Sequence, residues 1–262
     1  MALSYKFYVV INLNNLSLKK KLLPLVFPIL IILAWFLITE VFVIWPKFIM
    51  PSPIDVCSAG WTLIVNGELF TNTVSTLIKV FLGIILASVV AIPIGIFLGW
   101  SETWDSFCSL VISVLRPVPP IAWIPFAILW FGIGLSSAVF VIFLGCVFPL
   151  LVYTIDGVKR TEKVLVEAAQ TLGADKWNVL TKIVMPSAIP HIISGLKVAV
   201  GIALMCTVSS EMIASSDGLG HMILTASNLF DPGTMVVGIL VIGIIGIVFD
   251  LVFRKLQDSV FW

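Results

Sequence analysis

Six long apolar stretches constrain this chain more than any other feature of its sequence. A helix needs about 20 mainly apolar residues to cross the hydrocarbon core of a bilayer, and each stretch is near that length. Charged residues make up only 11% of the 262 residues, whereas a soluble domain carries roughly 25%. We therefore predict an all-α integral membrane protein with six transmembrane helices. The predicted spans are residues 22–45, 77–99, 107–131, 138–155, 189–213 and 234–253.

Lysine and arginine are divided unevenly between the two sides of these spans. They cluster before span one, between spans four and five, and after span six: Lys6, Lys19, Lys20, Lys21, Lys159, Arg160, Lys163, Lys176, Lys182, Arg254 and Lys255. The loops after spans three and five contain neither residue type, and the loop after span one contains only Lys47. The positive-inside rule then predicts cytoplasmic tails, 1–21 and 256–262, on either side of one membrane domain, 22–255.

Several functions lack support in the sequence. It contains no GxxxxGK[ST] pattern, so we expect no P-loop for ATP in this chain. No Ser/His/Asp set or pair of catalytic carboxylates can be assembled, which argues against an intramembrane enzyme. The four cysteines are far apart and lack metal-ligand spacing, so no metal site is expected. An ion-driven secondary transporter remains an alternative, although that class often has two matching broken helices and only one span here is strongly broken. The net charge of +1 implies no attraction to nucleic acid.

A polar segment, 156–188, separates spans four and five. One face of its first predicted helix carries Val164, Leu165, Ala168, Ala169 and Leu172. Gly173 follows at the helix C-cap, where glycine adopts a left-handed conformation cheaply. Asp175 is placed to cap a second helix, in which Trp177, Leu180 and Val184 lie along one side, and Pro186 suits the first turn of the helix that re-enters the membrane. The periodicity favours an amphipathic hairpin on the lipid surface. Its small residues beside a fixed turn would also suit docking of another protein.

The same segment resembles the EAA motif of permease subunits of bacterial and archaeal ABC importers. The matching residues are Glu167, Ala168, Ala169, Gly173, Ile183, Met185 and Pro186. The family usually has leucine at the position of Met185, a volume-conserving difference. Two further stretches, Leu115–Gly134 and Ser209–Gly220, resemble the third and fifth spans of the branch that includes taurine, alkanesulfonate, nitrate and bicarbonate permeases. The resemblance covers roughly residues 50–255.

This resemblance implies a five-helix permease core preceded by one N-terminal helix. It also implies a cytoplasmic coupling helix that fits a cleft of a separate ATPase subunit. The coupling residues carried over are Glu167, Ala168, Ala169, Gly173 and Pro186. The expected partners are two ATP-binding subunits, which would hold the ATP and Mg, an extracytoplasmic solute-binding protein, a second copy of the permease and the lipid bilayer. The expected substrate is a small oxyanion or organic acid such as a sulfonate, taurine, nitrate or bicarbonate. Permeases for other solutes, thiamine precursors among them, share the branch.

Two features inside the spans are candidates for the translocation path. Arg116, Pro117, Pro119 and Pro120 interrupt span three. Irregular backbone at membrane depth is tolerated only where it is buried in protein or lines a water-filled cavity. The alternative is a structural kink with Arg116 reaching the cytoplasmic interface. Glu211, near the outer end of span five, needs a partner inside the bundle. It could face the path or brace neighbouring helices, and an anionic substrate favours the brace.

Overall fold

Every regular element in the described part of the chain is helical. The structure, a computed structural model, describes residues 26–260, so the predicted tail 1–21 lies outside it. The helices are α1 (Val26–Val41), α2 (Pro53–Val65), α3 (Glu68–Trp100), α4 (Glu102–Leu115), α5 (Ile124–Phe131), α6 (Leu135–Lys159), α7 (Lys163–Thr171), α8 (Lys176–Ala214), α9 (Leu219–Asn228) and α10 (Pro232–Val260). The predicted all-α class is confirmed.

Four of these helices, α3, α6, α8 and α10, are long and apolar enough to cross a membrane. They contain the predicted spans two, four, five and six. Helix α1 is a shorter apolar helix, and the predicted start of span one lies outside the described residues. A count of six spans therefore stays a prediction.

The third predicted span is broken, as its prolines indicate. Helix α4 and the segment Pro120–Phe131 meet at an angle of 84°. The segment starts with a 3₁₀ turn, Pro120–Trp123, before α5. Pro117 and Pro119 between α4 and the 3₁₀ turn, and Pro120 at the start of the turn, cannot donate backbone hydrogen bonds, so a regular helix cannot continue through them. The chain therefore changes direction at this point.

Helix α6 forms the centre of the core because it packs against both α3 and α8. Apolar side chains gain little by leaving lipid, so membrane helices associate through close packing, which small residues allow. A Cβ atom on Gly95 of α3 would lie 2.6 Å from Cβ of Thr154 in α6, and one on Gly99 would lie 2.6 Å from Cβ of Val158. The GxxxG spacing of Gly95 and Gly99 therefore lets α3 pack closely against α6.

The short helices α2 and α9 both contact α10. Helix α2 begins with a capping box. The Ser52 hydroxyl accepts a hydrogen bond from the Asp55 backbone N–H at 3.2 Å, and the Asp55 carboxylate accepts one from the Ser52 N–H at 3.1 Å. The sequence predicts a helix near residues 56–65, and the cap places its start at Pro53 instead.

Large apolar side chains cover the outside of the long helices. Phe81 and Val89 of α3 and Ile239 and Ile247 of α10 are all at least half exposed. A continuous apolar exterior of this kind is unstable in water and matches the hydrocarbon of a bilayer. The fold is therefore that of a membrane-embedded bundle.

Adding one methyl group at Gly95 should weaken this bundle. Gly95→Ala places its Cβ against Thr154, and overpacking of a well-packed contact costs about 1–3 kcal/mol. The matched control is Gly243→Ala in α10, where a Cβ would meet no atom within 4 Å. Thermal unfolding of the purified protein in detergent should show a lower midpoint for Gly95→Ala and an unchanged or higher one for Gly243→Ala. Equal midpoints would contradict the packing described here.

Candidate functional site

Helix α7 ends in the left-handed glycine turn that the sequence predicts. Gly173 has a φ of +84°. Its N–H donates to the carbonyl of Gln170 at 3.0 Å, and the N–H of Ala174 donates to the carbonyl of Ala169 at 2.9 Å. These two bonds form a Schellman motif. A Cβ on Gly173 would meet nothing within 4 Å, so the backbone conformation alone demands glycine here.

The next helix begins at the predicted cap and continues into the membrane helix that contains Pro186. The Asp175 carboxylate caps α8 by accepting from the N–H of Asn178 at 3.1 Å. Helix α8 then runs without a break from Lys176 to Ala214. Pro186 lies in the first turn of the α-helical stretch Met185–Ala214, as predicted, although this stretch is continuous with the residues before it. A π turn, Leu180–Val184, directly precedes it. A widened turn changes the hydrogen-bond pattern where proline lacks a donor, so the helix continues.

The predicted apolar face of α7 is divided between two environments. Val166 and Ala169 pack against a buried cluster made of Val158, Val179, Val184 and Ala188. In contrast, Val164, Leu165, Ala168 and Leu172 are exposed, as are Glu167 and Trp177. Ala169 is only half-buried, because α6 and α8 supply a second apolar surface that partly covers it. Docking of Ala168 and Ala169 in an ATPase cleft stays a prediction. Leu180 is half-buried and Val184 is buried. Of the three residues predicted to lie along one side of α8, Trp177 is therefore the exposed one.

The break after α4 borders a cavity of about 380 Å³. Arg116 lies at the C-terminal end of α4, where its backbone N–H donates to the carbonyl of Ile112 at 2.9 Å. Side chains from the broken segment, α6 and α8 line the cavity: Arg116, Val118, Pro120, Leu144, Gly145, Phe148, Pro149, Val152, Tyr153, Val198 and Ile202. Pro117 and Pro119 are exposed and do not belong to this lining. The lining is mainly apolar, with one guanidinium and one phenol.

Glu211 lies elsewhere, in a buried network at the opposite end of α8. Its side chain has no exposed surface, and its carboxylate accepts from Lys79 Nζ at 3.0 Å, the Thr76 hydroxyl at 2.9 Å and the Gly220 N–H at 2.8 Å. It is not among the residues that line the cavity. Within the chain, these contacts join α3, α8 and α9.

Lys79, the ionic partner of Glu211, is not among the residues predicted for the site. Its ammonium group also donates to Ser215 Oγ at 2.9 Å and to Asp217 Oδ1 at 2.8 Å. Asp217 lies in the turn between α8 and α9, outside the spans, and hydrogen bonding from Lys79 lowers its pKa to about 2. Asp217 therefore remains ionised above that pH. A lysine inside a predicted apolar span was the available signal, because an intramembrane carboxylate needs a partner.

The described residues contain no group of three or more His, Cys, Asp or Glu side chains that could hold a metal ion. Metal chemistry is therefore not assigned to any residue of 26–260.

The chain matches the family described as "Binding-protein-dependent transport system inner membrane component" over residues 91–261. It is 44% identical over 197 residues to a putative ABC transporter permease of Methanocaldococcus jannaschii, covering 75% of this chain and 74% of that protein. It is 33% identical over 229 residues to the taurine transport system permease protein of Escherichia coli, covering 86% and 83%. It is 30% identical over 233 residues to a putative aliphatic sulfonates transport permease of Bacillus subtilis, covering 89% and 84%.

Among solved structures, the fold is similar to a chain of the inward-facing MetNI methionine ABC transporter. The TM-score is 0.69 at 17% identity, covering 76% of this chain and 98% of that chain. An amino acid ABC transporter gives a TM-score of 0.57 at 17% identity, covering 76% and 94%. Both similarities concern the fold.

Proposed function

Because this chain belongs to the family of inner membrane components of binding-protein-dependent transport systems and is the permease subunit of an ABC importer, we propose that α7 docks a separate ATPase. We also propose that the cavity beside Arg116 belongs to the translocation path. The observation that carries the first proposal is the exposed apolar face of α7, held beside a fixed glycine turn. Permeases of this kind work with an ATP-binding subunit and a solute-binding protein.

The exposed face of α7 supports docking rather than simple solvation. Val164 is 71% exposed, Leu172 is 88% exposed and Trp177 is 69% exposed. Large apolar side chains exposed on one short helix, Lys163–Thr171, and on the residues just after it mark a contact with a protein or with lipid. Tryptophan is also enriched among the residues that dominate binding energy at protein interfaces. Glu167, exposed beside this face, is available for polar groups at the rim of the contact.

The buried side of α7 supports mechanical coupling. Val166 and Ala169 rest on the cluster containing Val158 of α6 and Val179 and Val184 of α8. Ile96 and Trp100 at the end of α3 join the same cluster. Closely packed interiors transmit displacement because they have few voids. A pull on α7 would therefore reach the cytoplasmic ends of all three core helices.

The mechanism we propose is alternating access between two permease copies. Two ATP-binding subunits, each holding ATP and Mg, would close and bring the two α7 segments together, which would open the path outward. Hydrolysis would reset the path inward. In this arrangement the termini are cytoplasmic and the solute-binding protein docks on the side of α2 and α9. A second copy of this chain would close the open side of the cavity.

The cavity lining favours an organic anion as substrate. Arg116 offers a cation that can bind a sulfonate or carboxylate. Most of the other lining side chains, such as Val118, Phe148 and Ile202, are apolar and suit a hydrocarbon body. A volume of about 380 Å³ lies in the range of small-molecule sites. We therefore propose a small sulfonate or related organic acid. Glu211, paired within its own chain, is proposed as a brace rather than a ligand.

A cysteine at position 168 should report docking of the ATPase, whereas one at position 169 should not. Ala168 is exposed and Ala169 packs against its own chain. In a background without the four native cysteines, Ala168→Cys should crosslink to a cysteine in the ATPase cleft. The yield should change when nucleotide binds. Ala169→Cys is the matched control and should crosslink far less.

Equal or absent crosslinking at both positions would contradict the docking proposal. It would favour the alternative in which α7 lies on the membrane surface. In that case a thiol reagent anchored in the lipid should label both cysteines.

Replacing Arg116 should impair uptake without dissociating the complex. A hydrogen bond to a charged group contributes about 1.5–3 kcal/mol, so Arg116→Ala should weaken apparent affinity for an organic sulfonate about tenfold or more. Basal ATP hydrolysis should change little. The control is Arg160→Ala, an exposed arginine at the end of α6 outside the cavity lining. Uptake by reconstituted vesicles measures both variants, and wild-type uptake by Arg116→Ala would remove this residue from the path.

Uptake of only neutral or cationic solutes by the wild-type complex would contradict the proposed substrate class.

A further inference from the structure

The network around Lys79 is more tightly built than a single ion pair. The ammonium group has three hydrogens but four acceptors within 3.0 Å, namely Glu211, Ser215 and both the carboxylate and the backbone carbonyl of Asp217. The side chain of Lys79 is only 2% exposed and that of Glu211 is not exposed, whereas Asp217 is 59% exposed. Two helices and the following turn therefore meet at one buried cation.

Backbone groups complete the network. The N–H of Leu219 donates to the Thr76 hydroxyl at 2.8 Å, and the N–H of Gly218 donates to the Asn72 side chain at 3.0 Å. Gly218 has a φ of +103°, and a Cβ there would overlap the Glu211 carboxylate. The turn after α8 is thus shaped around the buried charge.

Separating α3 from α8 at this point would leave two buried charges without partners. Removing one partner from a buried ion pair is strongly destabilising, because the remaining charge stays desolvated. Helix α4 is held quite differently. None of its residues is buried, and its ion pair to α6, Asp105 with Lys159 at 2.6 Å, is partly exposed. Among the described residues, α3 and α8 are therefore joined by a buried ion pair that is costly to separate, whereas the ion pair between α4 and α6 is partly exposed.

We propose that Lys79, Glu211 and Asp217 form a latch that stays closed throughout the transport cycle, with Lys79 as its positioning residue. The outer ends of α3 and α8 then move as one body with α9. The path opens at the borders of α4 and α5 or between permease copies. This inference rests on the proposed function, because it says which contacts the cycle leaves intact.

Bridging the latch covalently tests whether it ever opens. Ser75 lies beside Asp217, and Ser216 precedes it on the exposed side of the turn. In a background without native cysteines, Ser75→Cys with Ser216→Cys can be joined by a short bifunctional thiol reagent. The complex with its ATPase and binding protein, reconstituted in vesicles, should keep the same uptake rate before and after bridging. Each single-cysteine variant treated with the reagent is the control.

Loss of uptake on bridging, recovered on reduction, would overturn the latch. The unbridged protein reports separately on the proposed function: if it takes up no solute with ATP and a binding protein, the proposed function fails rather than the latch.

Charge removal gives a second test. Lys79→Met should strongly lower the yield of assembled complex, and adding Glu211→Gln should restore much of it by removing the unpaired charge. The matched control, Lys197→Met, breaks the partly exposed pair of Lys197 with Asp250 and should have a smaller effect. Wild-type assembly and uptake by Lys79→Met, or a double variant that assembles no better than Lys79→Met, would overturn the proposal.

Discussion

Close packing of α6 between α3 and α8 is the constraint on which the rest of this structure depends. In hydrocarbon, apolar side chains gain little by leaving their surroundings, so the helices must approach closely enough for dispersion contacts to hold them. Gly95 and Gly99 permit that approach along the C-terminal half of α3. The same packing fixes the ends of all three helices. Those ends are where α7 packs and where the charged network around Lys79 lies.

The core helices are joined by apolar packing at one end and by buried charge at the other. On the side of α7, an apolar cluster around Val179 and Val184 joins this helix to the core helices. At the opposite end, Lys79 and Glu211 join the same helices through buried charge. Helix α4 belongs to neither arrangement, and its C-terminal end carries Arg116 beside the cavity. Buried joints and a helix without a buried residue, α4, thus coexist in one small bundle.

Local features could be predicted from the sequence, whereas contacts between distant segments could not. Hydrophobic length identifies the long helices, and the Gly173 turn and the Asp175 cap depend on neighbouring residues alone. The inward orientation of Ala169 depends on a surface supplied by α6 and α8, which periodicity within α7 cannot reveal. The place of Pro186 in the first turn of Met185–Ala214 could be predicted, whereas the π turn Leu180–Val184 that joins this stretch to Lys176–Val179 leaves no clear sequence signal. Lys79 lies 132 positions from Glu211, so their pairing became visible only in three dimensions.

The central claim is that α7 couples ATP hydrolysis to transport through a turn that only glycine forms readily. The most direct measurement compares solute transported per ATP hydrolysed for Gly173→Val and Gly67→Val in the reconstituted complex. Both glycines have a positive φ and open space for a Cβ, so each valine strains the backbone by about 1 kcal/mol or more, but Gly67 lies at the start of α3, away from α7. We predict that the Gly173→Val complex either transports much less solute per ATP hydrolysed or fails to retain its ATPase subunit. The Gly67→Val complex should keep the wild-type ratio of solute transported to ATP hydrolysed. An unchanged ratio and intact assembly for Gly173→Val would contradict the account.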